Sequence, residues 1–553
     1  MIDHLRNFPI STDSFENIRN EGRIYVDKTK HIAELRRRGS YVVVLCRPRR
    51  LGKTLFLTTL KAYFEGKKEL FKGLYLEKAE EEMAAEEKRE AWIKYPILHF
   101  NFCGVQASPN GLKEKLDQQL SRWESEYGCQ QQCDDPCERL AVLVGHVHKQ
   151  TGQRAVILVD EADLPLQETF DNPELNDRNN RTLCAFYSVT KSYELDIEMC
   201  FLTGLSQVKE RNIFSGFNNW INISFNKTYH DICGLTEQEV KDNFAPELTA
   251  LAKKQGCSEK ALLADLERRY GGFNFGGEEG LYNPNSLMYV FRDLRYDSHW
   301  VDEYSLRFTI PALIEQKTFI PELEKFLSSE DTLLSSEPTW GNGIPRLFQT
   351  GFVSIKPEKS KKEKREMQMT RLCNLGFTNE EEMFPLLRCL AERYFPSTTD
   401  TDLYLRSLAC YNALEEGKLD EALAVLTELL QRISYEQLPR EGEYDWVKNP
   451  YYQTGFYLIF RRLSASRPVT VTCEAKSVDV TIQTPAHCYI FAFAFLKEVT
   501  PADALALLKE REYANASDGG AVALHLVGVS FNEKNRNIGE YIEEVVSAGT
   551  GEK

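Results

Sequence analysis

Two kinds of apolar spacing alternate along the first 230 residues. Continuous apolar runs occur at Tyr41–Cys46 (YVVVLC), Tyr95–Phe102 (YPILHFNF), Arg154–Val159 (RAVILV) and Ile197–Thr203 (IEMCFLT). They have the length of strands and are apolar enough to be covered on both faces. Between them, helical spacing recurs in LFLTTLKAYFEG, from Gly111 to about Glu126, from Leu140 to Gln150 and from Asn179 to Ser192. Such alternation predicts a parallel sheet covered by helices, an α/β unit over residues 1–230. The charged stretch Lys78–Glu90 (KAEEEMAAEEKRE) predicts a solvated helix.

From Thr236 to about Leu327 the spacing is mostly helical, with a Gly-rich turn around Gly271–Gly280, and a helical lid or middle domain is expected over 231–356. Pro357–Glu366 (PEKSKKEKRE) has five basic and three acidic residues and nothing to bury, as in an exposed hairpin tip or linker. Helical spacing resumes at Glu380–Tyr394 and Asp402–Ile433, making 357–440 a linker and helical segment. The stretches VTVTCEAKSVDVTI, CYIFAFAF and VALHLVGVSF then read as strands, with a helix from Pro501 to Tyr513 before the last. A second α/β domain is expected over 441–553.

At roughly 100–200 residues per domain, 553 residues suggest three or four folding units. Their 42% hydrophobic and 27% charged residues suit folded, soluble domains. The balance of 68 Lys+Arg against 83 Asp+Glu, −15, argues against a surface that is wholly a footprint for nucleic acid, and leaves room for a local basic groove. No run approaches the ~18–20 apolar residues of a membrane span. The start, MIDHLRNFPIST, lacks the apolar core of a secretory signal, and fourteen scattered cysteines suit a reducing compartment. A cytoplasmic location is expected.

The strongest chemical signal is RPRRLGKT, Arg47–Thr54, between an apolar run and a helical pattern. A phosphate-binding loop places backbone N–H groups around phosphates at a helix N-terminus, a Lys on the β/γ-phosphates and a Ser/Thr hydroxyl on Mg²⁺. Gly52, Lys53 and Thr54 fill those positions after Leu51, while Arg47 replaces the usual first glycine. Arg47, Arg49 and Arg50 fit two readings equally, bidentate grip on triphosphate oxygens or pairing with nearby acids. Singly, Lys53 reads as a surface lysine at a helix start and Asp160–Glu161 as a helix cap. Their joint occurrence, with ILVDEAD ending a strand about a hundred residues after the loop, is what carries weight: one carboxylate can serve the Mg²⁺ shell and its neighbour can polarise water.

Together with YVDKT at Tyr25–Thr29, VDEADLPL at Val159–Leu166, FLTGLSQ at Phe201–Gln207, IFSGFNN at Ile213–Asn219, CGLTEQEV at Cys233–Val240 and LYNPNSL at Leu281–Leu287, this ordered set resembles the AAA-ATPase-like proteins. These are bacterial P-loop proteins with a C-terminal PD-(D/E)XK nuclease-like domain. The resemblance implies an ATP- and Mg²⁺-binding domain with Lys53 and Thr54 on phosphate and metal, Asp160 as metal-coordinating acid and Glu161 as catalytic base. Ala162 stands where the family often has tyrosine, and Gln207 where many members have a basic residue that could sense the γ-phosphate. Arg211 is the nearest replacement for that charge, and equally fits a solvated loop arginine.

The same resemblance implies a nuclease hairpin in which an Asp and a Glu-x-Lys converge on a divalent cation. Here Asp479 is present, but Ala492 and Ala494 replace the Glu and the Lys, and Asn449, Ser477–Val478 and Leu507 stand where the family has an acid, a Gly-Arg and a glutamine. An engineered alanine pair would give the same residues at 492 and 494; the further losses favour natural decay. Either way, an active metal-dependent nuclease is not expected. Glu474 and Lys476 have the Glu-x-Lys spacing but precede Asp479.

The resulting expectation is an ATP-binding and ATP-hydrolysing switch coupled to a degenerate nuclease-like domain. The alternative is a scaffold that holds nucleic acid or protein at its C-terminal domain without turnover, and oligomerisation is left open. Cys129, Cys133 and Cys137, around Asp134–Asp135–Pro136, do not make the paired spacing of a zinc site. His99 and His525, inside apolar runs, are expected to be core histidines.

Overall fold

The VVVLC run has no polar face to offer water, and it forms a strand, β1 (Val42–Cys46), buried along its whole length. It leads through the loop at 47–52 into α1 (Lys53–Phe64) and α2 (Tyr75–Glu87). There follow β2 (Ile97–Asn101), α3 (Gly111–Glu126), α4 (Pro136–Thr151), β3 (Ala155–Asp160), α5 (Pro173–Ser192), β4 (Ile197–Gly204) and β5 (Trp220–Asn222). The computed structural model describes residues 6–546 other than 11, 40, 131–132, 206–219, 298–302, 316–317, 334–342, 358–365, 368–369, 434–450, 474–478, 495–499, 511–522 and 533–536. It divides into two units, one of residues 1–301, 327–339 and 344–374, the other of 302–326, 340–343 and 375–553.

In the first unit the strands are ordered β2-β3-β4-β1-β5 and every neighbouring pair is parallel. The expected parallel sheet is present, with β4 lying between the loop-bearing β1 and the acid-bearing β3. Three C-terminal strand ends therefore meet at one edge, where open α/β sheets bind ligands. Two helices begin earlier than their apolar spacing indicated: the Asp135 side chain caps α4 at the Cys137 N–H, with proline following, and the Asn172 side chain caps α5 at the Leu175 N–H.

The expectation of a solvated helix over Lys78–Glu90 needs correcting. Leu76, Ala79, Met83 and Ala84 give α2 a buried face, and Glu80, 1% exposed, accepts hydrogen bonds from Arg89, the Tyr63 hydroxyl and the Trp92 N–H. The apolar positions at helical spacing were hidden among glutamates.

After β5 come α6 (Glu237–Gln255), α7 (Glu259–Tyr270) and α8 (Pro284–Asp293). They share a core of Val240, Phe244, Leu262, Leu266, Leu287 and Phe291, which Phe8 from the N-terminal segment completes. Thr236 and Glu239 form a capping box at the start of α6, and the Glu239 carboxylate also accepts the Lys28 ammonium at 2.6 Å. The Tyr25–Thr29 motif is thereby tied to the first helix after the sheet.

The second unit contains α9 (Glu380–Tyr394), α10 (Asp400–Glu415), α11 (Leu419–Leu430) and α12 (Tyr451–Leu463). The spacing that ran from Asp402 to Ile433 is broken at Gly417, whose φ of +73° ends one helix before the next begins. A mixed sheet follows: β6 (Thr470–Cys473), β7 (Asp479–Gln483), β8 (His487–Ala494), β9 (Ala523–Asn532) and β10 (Asn537–Val546), in sequential order. Only β8 and β9 are parallel, joined through α13 (Pro501–Glu510). β10 was not foreseen, because Glu540, Glu543 and Glu544 break the apolar signal of an edge strand.

Candidate phosphate-binding site

The site is built where β1, β3 and β4 end. Gly52 caps α1 with φ +102°, a left-handed conformation that L side chains rarely adopt, and space for a Cβ there is open. Steric room is thus not what excludes a side chain; backbone conformation is. The turn brings the N-terminus of α1, whose first N–H groups have no intrahelical acceptor, to the strand ends.

Lys53 is 6% exposed, and its ammonium donates to the loop's own carbonyls, Arg47 O at 2.9 Å and Pro48 O at 3.0 Å. Thr54 Oγ1 donates to Asp160 Oδ2 at 2.9 Å, while Thr203 Oγ1, from β4, donates to Asp160 Oδ1 at 2.6 Å. Asp160, 2% exposed, thereby ties the first turn of α1 to β4. Glu161 follows with φ +56°, a conformation that costs a non-glycine residue about 1–3 kcal/mol. Burial raises its carboxyl pKa, Lys53 opposes that shift, and Asp163 and Asp160 add to it.

The structure brings Gly52, Lys53, Thr54, Asp160 and Glu161 together. Leu51 is buried, and its carbonyl accepts the Gly234 N–H at 2.9 Å. Arg49 is half-buried near Glu161, and Arg50 is exposed with φ +64°. Arg47 matches neither of its two expected roles. Its guanidinium, 1% exposed, donates to the carbonyls of Cys46, Ser224, Tyr229 and His230 and lies 4.0 Å from the Phe275 ring centroid. Desolvation lowers its pKa to about 10. Gln207 and Arg211 lie outside the described residues.

Thr203 and Asp163 were not singled out from the sequence. Asp163 is 1% exposed, accepts the Leu205 N–H at 3.1 Å and the Gln167 amide at 2.5 Å, and so holds the turn that carries Glu161. The acidic repeat in DEAD was a signal for it; the Thr203 contact needed the β3–β4 register.

In the second unit, Asp479 opens β7 opposite Ala492 in register. Ala492 and Ala494 are buried in a cluster with Ile490, Ala504, Leu505 and Leu508, so α13 covers them. Leu507 is exposed on α13, while Asn449, Glu474, Lys476 and Ser477–Val478 lie outside the described residues. His525 is buried but not purely apolar in its contacts: its Nδ1 lies 2.6 Å from Glu543 Oε1 and its Nε2 2.8 Å from His487 Nδ1. Burial and the neighbouring His525 lower the His487 pKa.

Residues 9–214 match the family model described as a predicted AAA-ATPase. Over 550 residues, 98% of this chain and 99% of the relative, the sequence is 28% identical to an "uncharacterized protein in vnfD 5′ region" of Azotobacter chroococcum mcd 1. The match, the parallel five-stranded sheet and the loop at the end of β1 agree on a P-loop-like N-terminal region of a kind associated with nucleotide binding. No helix among the described residues is long and apolar enough to cross a membrane.

Proposed function

We propose that the first unit binds and hydrolyses Mg-ATP and that its nucleotide state is coupled to a C-terminal unit that does not cleave nucleic acid. The observation that carries this is the convergence of Lys53, Thr54 and Asp160 at the N-terminus of α1. A hydroxyl and a carboxylate are oxygen donors of the kind Mg²⁺ takes, and Thr54 and Asp160 would hold it. When bound, Mg²⁺ neutralises charge on the phosphate oxygens. Lys53 exchanges its two carbonyl acceptors for phosphate oxygens, the N-terminus of α1 donates N–H groups, and Glu161 orients water and accepts its proton at a carboxylate oxygen.

Titration with a fluorescent ATP analogue and a phosphate-release assay test this reading. Lys53→Ala should lose binding, while Glu161→Gln should keep binding and lose turnover by about 10²-fold or more. Unchanged nucleotide affinity in Lys53→Ala would sink the proposal.

The non-cleaving role of the second unit is supported by Ala492 and Ala494, whose small side chains lie under α13 and offer no ligand to a cation. An electrophoretic shift assay over a range of salt, with and without Mg²⁺, separates its outcomes. Salt-sensitive retention without cutting supports a phosphate-binding surface; Mg²⁺-dependent cutting overturns the reading.

A further inference from the structure

Arg47 occupies the first position of the loop, and it binds the molecule at both its main chain and its side chain. Its N–H donates to Gly204 O, at the end of β4, at 3.1 Å, and its carbonyl accepts the Lys53 ammonium at 2.9 Å. Its guanidinium donates to Ser224 O at 2.6 Å, Tyr229 O at 3.2 Å and His230 O at 3.4 Å, and lies over the Phe275 ring. Withdrawing that side chain toward a phosphate would strand buried carbonyls. Phosphate contact is therefore not its role.

The loop has further ties to the same region. Leu51 O accepts the Gly234 N–H, so the chain between β5 and α6 is fastened to the loop at both ends, through Arg47 and through Leu51. Pro48, the other acceptor of Lys53, packs on Gly351: a Cβ there would stand 3.0 Å from Pro48 Cβ and 2.9 Å from Phe273 Cε1. Glycine permits that approach.

We propose that Arg47 is a positioning residue that transmits occupancy of the loop by a nucleoside triphosphate to residues 224–235 and 273–275. This rests on the nucleotide-binding reading above. As Lys53 turns toward a phosphate, the carbonyls of Arg47 and Pro48 lose their cation and the peptide planes that carry them reorient. The guanidinium on the same residue carries that movement to Ser224, Tyr229, His230 and the Phe275 ring, and thus to the segment that starts α6.

Hydrogen–deuterium exchange on the full chain, with and without Mg²⁺ and a non-hydrolysable ATP analogue, tests it, with analogue affinity measured separately by fluorescence. In the wild type, peptides covering 221–235 and 271–282 should change their uptake when the analogue binds. Arg47→Met should still bind, with affinity weakened about tenfold, and lose both responses; Arg47→Lys should restore part of the 221–235 response. Phe275→Leu, which keeps the carbonyl bonds, should lose only the 271–282 response, and it keeps the test decisive if Arg47→Met does not fold. Responses of wild-type size in an analogue-binding Arg47→Met or Phe275→Leu, or none in a wild type that binds, would overturn the transmission role alone. A wild type that binds no analogue would overturn the nucleotide-binding reading, and the transmission role with it.

Discussion

Asp160 has both carboxylate oxygens engaged by hydroxyls, Thr54 on one and Thr203 on the other, with almost no solvent contact. Thr203→Val keeps the shape and removes one donor. Leaving a buried oxygen unpaired costs about 1–3 kcal/mol, which denaturant unfolding of the variant should register. Glu161 gives a pH prediction. Its folded pKa is raised by burial, so the stability of its protonated form is full below the unfolded carboxylate value and is lost as pH rises through the higher folded value. As the proposed base, Glu161 works ionised, so kcat/KM, which reports the free protein, should fall on the acid side at a pH above the ordinary Glu range of about 4.3. The residual turnover of Glu161→Gln should lack that limb. The convergence of Lys53, Thr54, Asp160 and Glu161 was legible because each pair follows an apolar run. The role of Arg47 was not, since a charged loop residue carries no mark of which way it faces, and Thr203 becomes a neighbour of Asp160 only through the β3–β4 pairing.

Elements explain what single residues do not. α13 rests on β8 and β9 at a distance set by small residues: Ala492, Ala494 and Gly528, where a Cβ would overlap the Pro501 carbonyl oxygen and stand 2.9 Å from Leu505 N. Placing a carboxylate or an ammonium at these positions would therefore not simply build a cation site. Ala492→Glu or Ala494→Lys should each destabilise the chain by about 3–5 kcal/mol, the cost of a buried charge without a partner, and neither should produce Mg²⁺-dependent cutting. Thermal unfolding and a gel assay on DNA and RNA check the two halves. The apolar run of β8 made the strand legible from sequence, but nothing in FAFA told that its alanines lie beneath a helix rather than in an open cleft. In the same way helix over Asp402–Ile433 is legible as spacing, whereas the break at Gly417 is set by a backbone conformation that the spacing does not carry.

On the scale of the molecule, two units on one chain predict two unfolding transitions in scanning calorimetry. On the proposed reading, Mg-ATP at a hundred times its Kd should stabilise the first unit by about 2.7 kcal/mol, and Lys53→Ala should abolish the shift. A coupled switch requires the second transition to move with nucleotide as well; a second transition that ignores nucleotide at every concentration would disprove the coupling and leave the binding intact. The −15 balance of the whole chain has little bearing on the proposed site, where Arg47 and Lys53 are paired with main-chain oxygens. Those pairings have an economy of their own. By holding Lys53 on Arg47 O and Pro48 O, the protein acts as an internal competitor for its own ammonium. A charged hydrogen bond is worth about 1.5–3 kcal/mol, and each 1.4 kcal/mol is a factor of ten in affinity. On the nucleotide-binding reading proposed above, a triphosphate would have to replace two such bonds, so the site would favour abundant ligand over traces.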